Sequence, residues 1–193
     1  KPGGSGTQFT AAQAQWSNAQ EALLYPSGSW IENEMKSQTK ADFKMSGFAA
    51  PPLTASPKFP AEALHAAAAE AYIVPSKGKN VAGGKEFMRV MLSKEAATNF
   101  AKTKLAPSIV KGVIPADGFG STALVAQGKM LDNAGENVYT WQFVDFYGMN
   151  SDMLVVWNSF LDGKLSVADA TAALQKISDD VANDDTRTKI EIK

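Results

Sequence analysis

The chain has 193 residues, of which 45% are hydrophobic and 20% charged, and its formal net charge is −1. This length supports one domain with a core or two small lobes. A near-neutral chain without a lysine or arginine cluster lacks the electrostatic signature of a nucleic-acid or anionic-membrane partner. Cysteine is absent, which excludes disulfides and thiolate metal sites. No apolar run approaches the ~20 residues that a membrane helix needs.

The first third of the chain predicts a helix, a strand and a second helix start. Residues 1–8 lack the order of a signal peptide and are predicted to be a linker or a cloning remnant. Thr10 precedes a predicted helix over 11–21, and a strand is predicted over 22–25. A Pro/Ser/Gly turn follows, and Ser29 with Glu32 predicts a capping box that starts a helix at Trp30.

The middle of the chain alternates strand and helix signals. Residues 43–48 alternate as a strand, and 51–60 is proline-rich and irregular. Residues 61–69 have a helix-forming composition, whereas 71–74 predict a strand. A helix opening at Gly83, one capped by Ser93 and one over 122–131 follow.

The last third is mostly helical. A strand is predicted from Val138, a helix starts at Asn150 or Ser151 and stops at Gly163, and the last helix runs from Val167 to about Ala182. Ser166 with Asp169 caps that last helix, and residues 190–192 predict an edge strand. The fold class is therefore α/β, helix-rich with few and short strands.

The candidates for catalysis or metal binding are weak. His65, the one histidine, lies in an alanine-rich stretch without a partner spaced for a triad, and is better explained as a solvent-facing or capping residue. Gly83-Gly84 lacks the lysine of a phosphate loop. Residues 132–136 lack calcium-loop spacing, and the paired aspartates at 179–180 and 184–185 fit solvated surface. We expect no catalytic residue, no metal and no cofactor.

Aromatic and polar residues instead favour ligand binding. An indole at a helix start, as at Trp30, offers a flat face to a sugar ring, although a core role for Trp30 is equally open. Five aromatics fall between 139 and 147, and one strand face cannot bury them all. Tyr147 and Asn150, just ahead of the helix, are predicted to reach a cleft. The packing aromatics are predicted to be Trp141, Phe143 and Phe146.

An ordered series of segments resembles the extracellular solute-binding proteins (family 1) of carbohydrate ABC importers. The series comprises the turn ending at Ser29-Trp30, the strand-then-proline segment 43–52, the crossover strand 71–77, the helix pair 84–100 and the closing helix from 161. It covers nearly all of the chain past residue 8. Residues 25–35 and 183–185 resemble the branch that binds N-acetylglucosamine and diacetylchitobiose.

The resemblance implies the C-terminal portion of a two-lobed, type II periplasmic-binding fold, with the N-terminal half absent. Residues 9–74 and 122–193 would belong to the second lobe, and 75–121 would be a crossover segment packing in the first lobe. The family's stacking tryptophan corresponds to Trp30, beside Gly28 and Ser29, and its late cleft aromatic falls near Tyr147 to Asn150.

The partners implied are a small-molecule sugar, an ABC transporter membrane permease and the missing N-terminal lobe of the same protein. The localisation implied is the extracellular face of the membrane, with a lipoprotein anchor in a region outside this chain. Three alternatives stay open: a binding protein for another small ligand, a glycan-active enzyme fragment, and a structural module whose aromatics are only core.

Overall fold

Helices form most of the regular structure in the computed structural model, which describes residues 8–19, 22–67, 71–140 and 143–189. The α-helices are α1 (Phe9–Ala14), α2 (Ile31–Met35), α3 (Val81–Met91), α4 (Lys94–Lys104), α5 (Thr122–Ala134), α6 (Phe143–Phe146), α7 (Asn150–Leu161) and α8 (Val167–Ala182). A π-helical turn, Gln15–Ala19, continues α1, and a 3₁₀ turn, Gly118–Gly120, precedes α5. The helix-rich character predicted from the sequence is confirmed.

The sheet in the described residues is a single short parallel pair. β1 (Leu64–His65) pairs with β2 (Val138–Tyr139), with Leu64 opposite Val138 and His65 opposite Tyr139. Thr140 extends the pairing, since its hydroxyl donates to the Ala66 carbonyl at 3.2 Å. The prediction of few and short strands is therefore confirmed.

The chain divides into two compact units. One comprises Gln13–Thr140, and the other comprises Lys1–Ala12 with Trp141–Lys193. The larger unit contains two clusters of buried residues. The first is Ile31, Met35, Met45 and Ala123, with Trp16, Tyr25 and Phe43 packed against it. The second is Ala97, Ala101 and Val113, with Val110, Ile114 and Phe119 packed against it.

Serine and asparagine side chains cap α3, α4, α5 and α8. Ser93 accepts a hydrogen bond from the Ala96 amide at 3.2 Å, as predicted. Ser166 accepts from the Asp169 amide at 3.1 Å and donates to the Asp169 carboxylate at 2.7 Å, so the predicted cap of α8 is confirmed. α3 begins at Val81, two residues before the predicted Gly83, because Asn80 accepts from the Gly83 amide at 2.8 Å.

Three predicted strands are wrong. Residues 22–25, 43–48 and 71–74 form no strand, because a strand needs a neighbouring strand for its peptide groups and the described residues offer none there. The alternation of apolar and polar residues at the start of 43–48 still determines which side chains pack inward, since Phe43 is half-buried and Met45 is buried while Lys44 is exposed. Residues 61–69, predicted to favour a helix, contain β1.

The ends of several predicted elements also differ. α1 begins at Phe9, ahead of the predicted cap Thr10, and residues 20–21 at the end of that predicted helix lie outside the described residues. The strand predicted from Val138 ends at Tyr139, and α6 replaces its continuation. The predicted edge strand 190–192 lies outside the described residues.

Candidate functional site

Trp30 lies at the start of α2 with its side chain largely in solvent. It is the N-cap residue of α2, with helical backbone angles and no side-chain cap, and 56% of its surface is exposed. Its carbonyl accepts a hydrogen bond from the Glu34 amide at 3.0 Å, so the backbone of Trp30 is already part of the helix. The alternative that Trp30 is a core aromatic is therefore wrong for this structure.

Gly28 provides the space that the indole occupies. A Cβ atom on Gly28 would overlap the six-membered ring of Trp30, with Cε3 at 2.5 Å. The Gly28 carbonyl also accepts from the Ile31 amide at 3.3 Å, which closes the turn before α2. Glycine at this position therefore allows the indole to lie against the backbone, which is a close approach that a side chain would block.

The predicted Ser29–Glu32 capping box is wrong. α2 has no side-chain cap, and Glu32 instead accepts a hydrogen bond from the Ser121 hydroxyl. Ser121 is buried and caps α5, where it accepts from the Leu124 amide at 2.9 Å. A tertiary partner has therefore replaced the local one, and the helix that begins beside Trp30 is tied to the start of α5.

Several contacts hold α2 in place beneath Trp30. Ile31 and Met35 are buried, and Met35 is fully so. The Gln13 side-chain amide donates to the Glu34 carboxylate at 2.8 Å. The Asn18 side chain clamps the chain after α2, because its amide donates to the Gln38 carbonyl at 2.7 Å and its oxygen accepts from the Lys40 amide at 3.2 Å. A half-exposed aromatic on so well anchored a helix suits ligand recognition.

Tyr147 and Asn150 lie in the other unit, at the turn between α6 and α7. Tyr147 is half-buried, and its carbonyl accepts from the Arg187 guanidinium at 2.8 Å. Asn150 is exposed and is the first residue of α7 rather than its cap, which is Met149. The predicted cap at Asn150 or Ser151 is wrong, because the Asn150 amide donates instead to the Asp145 carboxylate.

The structure groups the predicted site residues in two sets. Gly28, Ser29 and Trp30 are contiguous in the larger unit, and Tyr147 and Asn150 share the α6–α7 turn of the other. Among the aromatics predicted to pack, Phe146 is 59% exposed, so that prediction is wrong, and Phe143 is also exposed. The ring of Phe146 meets that of Tyr147 edge-on at 5.0 Å between centroids. Trp141 lies outside the described residues.

The sequence did not predict an open groove of about 470 Å³ along α5. Thr122, Lys129 and Asn133 line it on the helix side, and Phe48 lines it on the side of residues 46–49. The hydroxyl of Thr122 donates to the Met45 carbonyl, which fixes that segment on α5. The sequence alone could have placed the groove-lining residues of α5 on one face of that helix, because they recur at helical spacing. Only the tertiary fold brings residues 46–49 against that face.

Metal-binding clusters are not found in the part of the chain that the structure describes. No group of three or more His, Cys, Asp or Glu residues is placed to hold a metal ion there. His65 is exposed on β1, and its ring meets that of Tyr139 at 5.6 Å in a tilted arrangement. Within the described residues, no helix has the length and apolar character to cross a membrane.

Comparison with known proteins gives a high similarity to part of one longer protein. The chain is 63% identical, over 191 residues and 99% of its length, to the diacetylchitobiose binding protein NgcE of Streptomyces coelicolor. It spans 41% of that protein's length. No family model matches the chain, and no solved structure matches it. The resemblance predicted from the sequence is confirmed: over almost its whole length the chain is similar to part of a diacetylchitobiose binding protein.

Proposed function

We propose that this chain is part of an extracytoplasmic solute-binding protein that binds a sugar and delivers it to an ABC importer permease. The observation that carries the proposal is the 63% identity to a protein named for binding diacetylchitobiose. The ligand is then N-acetylglucosamine or a chito-oligosaccharide. The protein is a binding protein rather than an enzyme, and it uses no cofactor.

The binding contacts proposed are stacking and hydrogen bonding. Trp30 presents a solvent-exposed indole to the apolar face of a sugar ring, and Gly28 keeps that indole against the backbone. Ser29 and Asn150 supply polar groups for the sugar hydroxyls, and Tyr147 supplies a second aromatic ring. Such sites combine apolar surface with a few polar groups. A ligand that binds with a micromolar Kd requires a favourable binding free energy of about 8 kcal/mol.

The proposed architecture is the C-terminal portion of a two-lobed type II periplasmic-binding fold. Residues 9–74 and 122–193 belong to the second lobe in this proposal, and 75–121 pack in the first lobe. Apolar side chains on α3, such as Phe87 and Val90, are exposed. This exposure supports the proposal that the crossover segment packs against a part of the protein outside this chain. The remaining lobe and a lipid anchor, both outside this chain, complete the protein at the outer face of the membrane.

Calorimetric titration with N-acetylglucosamine and diacetylchitobiose tests the proposal. The proteins are this chain and a full-length chimera in which the chain replaces the matching part of the Streptomyces coelicolor relative. We expect saturable binding by the chimera, abolished by Trp30→Ala and weakened by Trp30→Phe. Phe59→Ala, which removes another exposed aromatic outside both the proposed site and the crossover segment, is the matched control. A folded chimera that ignores both sugars would contradict the proposed ligand.

Hydrolysis of a chromogenic chitobioside by the same chimera separates binding from turnover. We expect no release of the chromophore. Sustained turnover would favour the alternative of a glycan-active enzyme.

A further inference from the structure

Two serines are candidates to bond the Glu32 carboxylate. Ser29 lies three residues before Glu32, the spacing at which a serine and a glutamate bond one another at the start of a helix. In the structure the carboxylate instead accepts a hydrogen bond from the Ser121 hydroxyl. All three residues belong to the unit Gln13–Thr140, so the choice between the two serines is made within one unit.

The Ser121 hydroxyl is fixed on both sides. Ser121 is 4% exposed, and its hydroxyl donates to the Glu32 carboxylate while it accepts from the Leu124 amide at 2.9 Å. A hydrogen bond to a charged acceptor is stronger than one between neutral groups, and exclusion of water strengthens it further. Ser29 is only half-buried, so a bond from its hydroxyl would form in competition with water. Ser121 therefore holds the carboxylate more firmly than Ser29 could.

The backbone directly ahead of Ser121 is strained. Phe119 has φ 56° and ψ 30°, in the left-handed region where a bulky residue is rarely found. Its neighbours Gly118 and Gly120 also have positive φ, and Phe119 packs against the buried cluster around Ala101. Strain of this kind persists only where the surrounding structure fixes it, and it occurs most often at functional positions. The strained turn therefore supports a specific role for the serine that follows it.

The bond between Ser121 and Glu32 leaves the Ser29 hydroxyl available. Among the residues that the structure describes, none forms a hydrogen bond with the Ser29 side chain. Ser29 directly precedes Trp30, whose indole is exposed. A polar group beside an apolar surface is the combination that ligand sites use. If Glu32 bonded Ser29, the hydroxyl would already be occupied when a sugar arrived.

We propose that Ser121 is a positioning residue of the Trp30 site, which keeps the Ser29 hydroxyl free for a sugar by holding the Glu32 carboxylate. Ser121 is buried and acts through Glu32 rather than on the ligand. Loss of the Ser121 hydroxyl releases the carboxylate to Ser29. The inference rests on the proposed function, because it takes Ser29 and Trp30 as ligand-binding residues.

Sugar titration of the full-length chimera tests the proposal through a second-site rescue. Ser121→Ala frees the Glu32 carboxylate to bond Ser29, and we expect diacetylchitobiose binding to weaken by roughly tenfold, the effect of losing one hydrogen bond. Adding Glu32→Ala removes the competing carboxylate, so the affinity should return to within about twofold of the parent. Ser121→Thr, which keeps a hydroxyl, should bind like the parent. If Ser121 served the fold alone, adding Glu32→Ala would not restore binding.

Ser93→Ala is the matched control for the loss of a helix cap. Ser93 caps α4 by accepting from the Ala96 amide at 3.2 Å, so its removal should lower the Tm of the chimera and leave its sugar affinity unchanged. If the Ser121→Ala chimera does not fold, Ser121→Gly takes its place, because glycine also lacks the hydroxyl but is a better cap than alanine. Failure of both variants to fold would make Ser121 a purely structural residue and contradict the proposal.

Urea denaturation of this chain gives a second measurement that needs no sugar. Ser29→Ala should lower the denaturation midpoint more in the Ser121→Ala background than in the parent, because only there does Ser29 bond Glu32. An equal effect of Ser29→Ala in both backgrounds would overturn the proposal, as would the absence of rescue by Glu32→Ala. If the chimera binds neither sugar, the proposed ligand is wrong, and the urea measurement still decides whether Ser121 keeps Glu32 from Ser29.

Discussion

The indole of Trp30 lies against the α-carbon of Gly28, in the space that a Cβ atom would fill. The two residues therefore act together, since the glycine determines where the exposed ring can lie. Gly28→Ala is expected to displace the indole and to weaken sugar binding by the chimera by roughly tenfold or more, because the displaced ring no longer stacks fully on the sugar. The indole NMR resonance of Trp30 and calorimetry measure the two effects.

Gly128→Ala is the control for this substitution. Nothing lies within 4 Å of a Cβ built on Gly128, which sits inside α5. The change should raise the free energy of unfolding by about 0.5–1 kcal/mol, because alanine favours the helix. An unmoved Trp30 resonance in Gly28→Ala would show that the glycine does not set the ring position.

Met35→Ala should destabilise the larger unit strongly. Met35 is fully buried in the cluster beneath α2, so its truncation leaves a cavity. We expect a loss of about 2–5 kcal/mol in the free energy of unfolding, measured by urea denaturation. Leu53→Ala, at a fully exposed position, should change it by less than about 0.5 kcal/mol. Similar losses for the two variants would argue against the described core.

Ser121→Ala should cost more stability than Ser93→Ala. Each serine caps a helix, and loss of a cap costs about 1 kcal/mol. Ser121 is also buried and donates to the Glu32 carboxylate, so its removal leaves that carboxylate short of a donor, at a further cost of about 1–3 kcal/mol. Paired urea denaturation curves measure the difference. Equal losses would mean that the Ser121–Glu32 contact contributes nothing.

Asp184 should titrate below its ordinary range. Hydrogen bonds from the Thr186 hydroxyl and amide, and then from Arg187, hold the pKa of the Asp184 carboxyl below its usual value. The pKa of the Asp184 carboxyl is lower in the folded state than in the unfolded state, where it is about 3.9, so the ionised carboxylate stabilises the fold at pH values above the unfolded-state pKa. That stabilisation is lost as the pH falls through the folded-state pKa. Thr186→Ala should raise the pKa, which a ¹³C NMR titration of the carboxyl carbon measures.

Protonation of Asp184 should also change the surroundings of Tyr147, one of the predicted site residues. Arg187 donates to the Asp184 carboxylate at 3.0 Å and to the Tyr147 carbonyl at 2.8 Å. Protonation of Asp184 removes one partner of that guanidinium, so the resonances of Tyr147 should shift with the same midpoint. A Tyr147 that ignores the titration would show that Arg187 holds its place without Asp184.

Local signals predicted the parts of this protein that local chemistry decides. Ser93 and Ser166 cap their helices as expected, because the serine hydroxyl and the amide it accepts from lie three residues apart. The likeness to a chitobiose-binding protein was also available from the sequence, since it rests on the order of segments. Which of the site residues bind a ligand stays a prediction.

The tertiary structure decided everything that depends on distant partners. Residues 43–48 and 71–74 have strand patterns but lack a neighbouring strand, so they form none. Glu32 was expected to bond Ser29 and instead accepts from Ser121, 89 residues away along the chain. A sequence window reports propensities over a few residues, whereas strand pairing, burial and such long-range hydrogen bonds are settled only when the chain brings distant segments together.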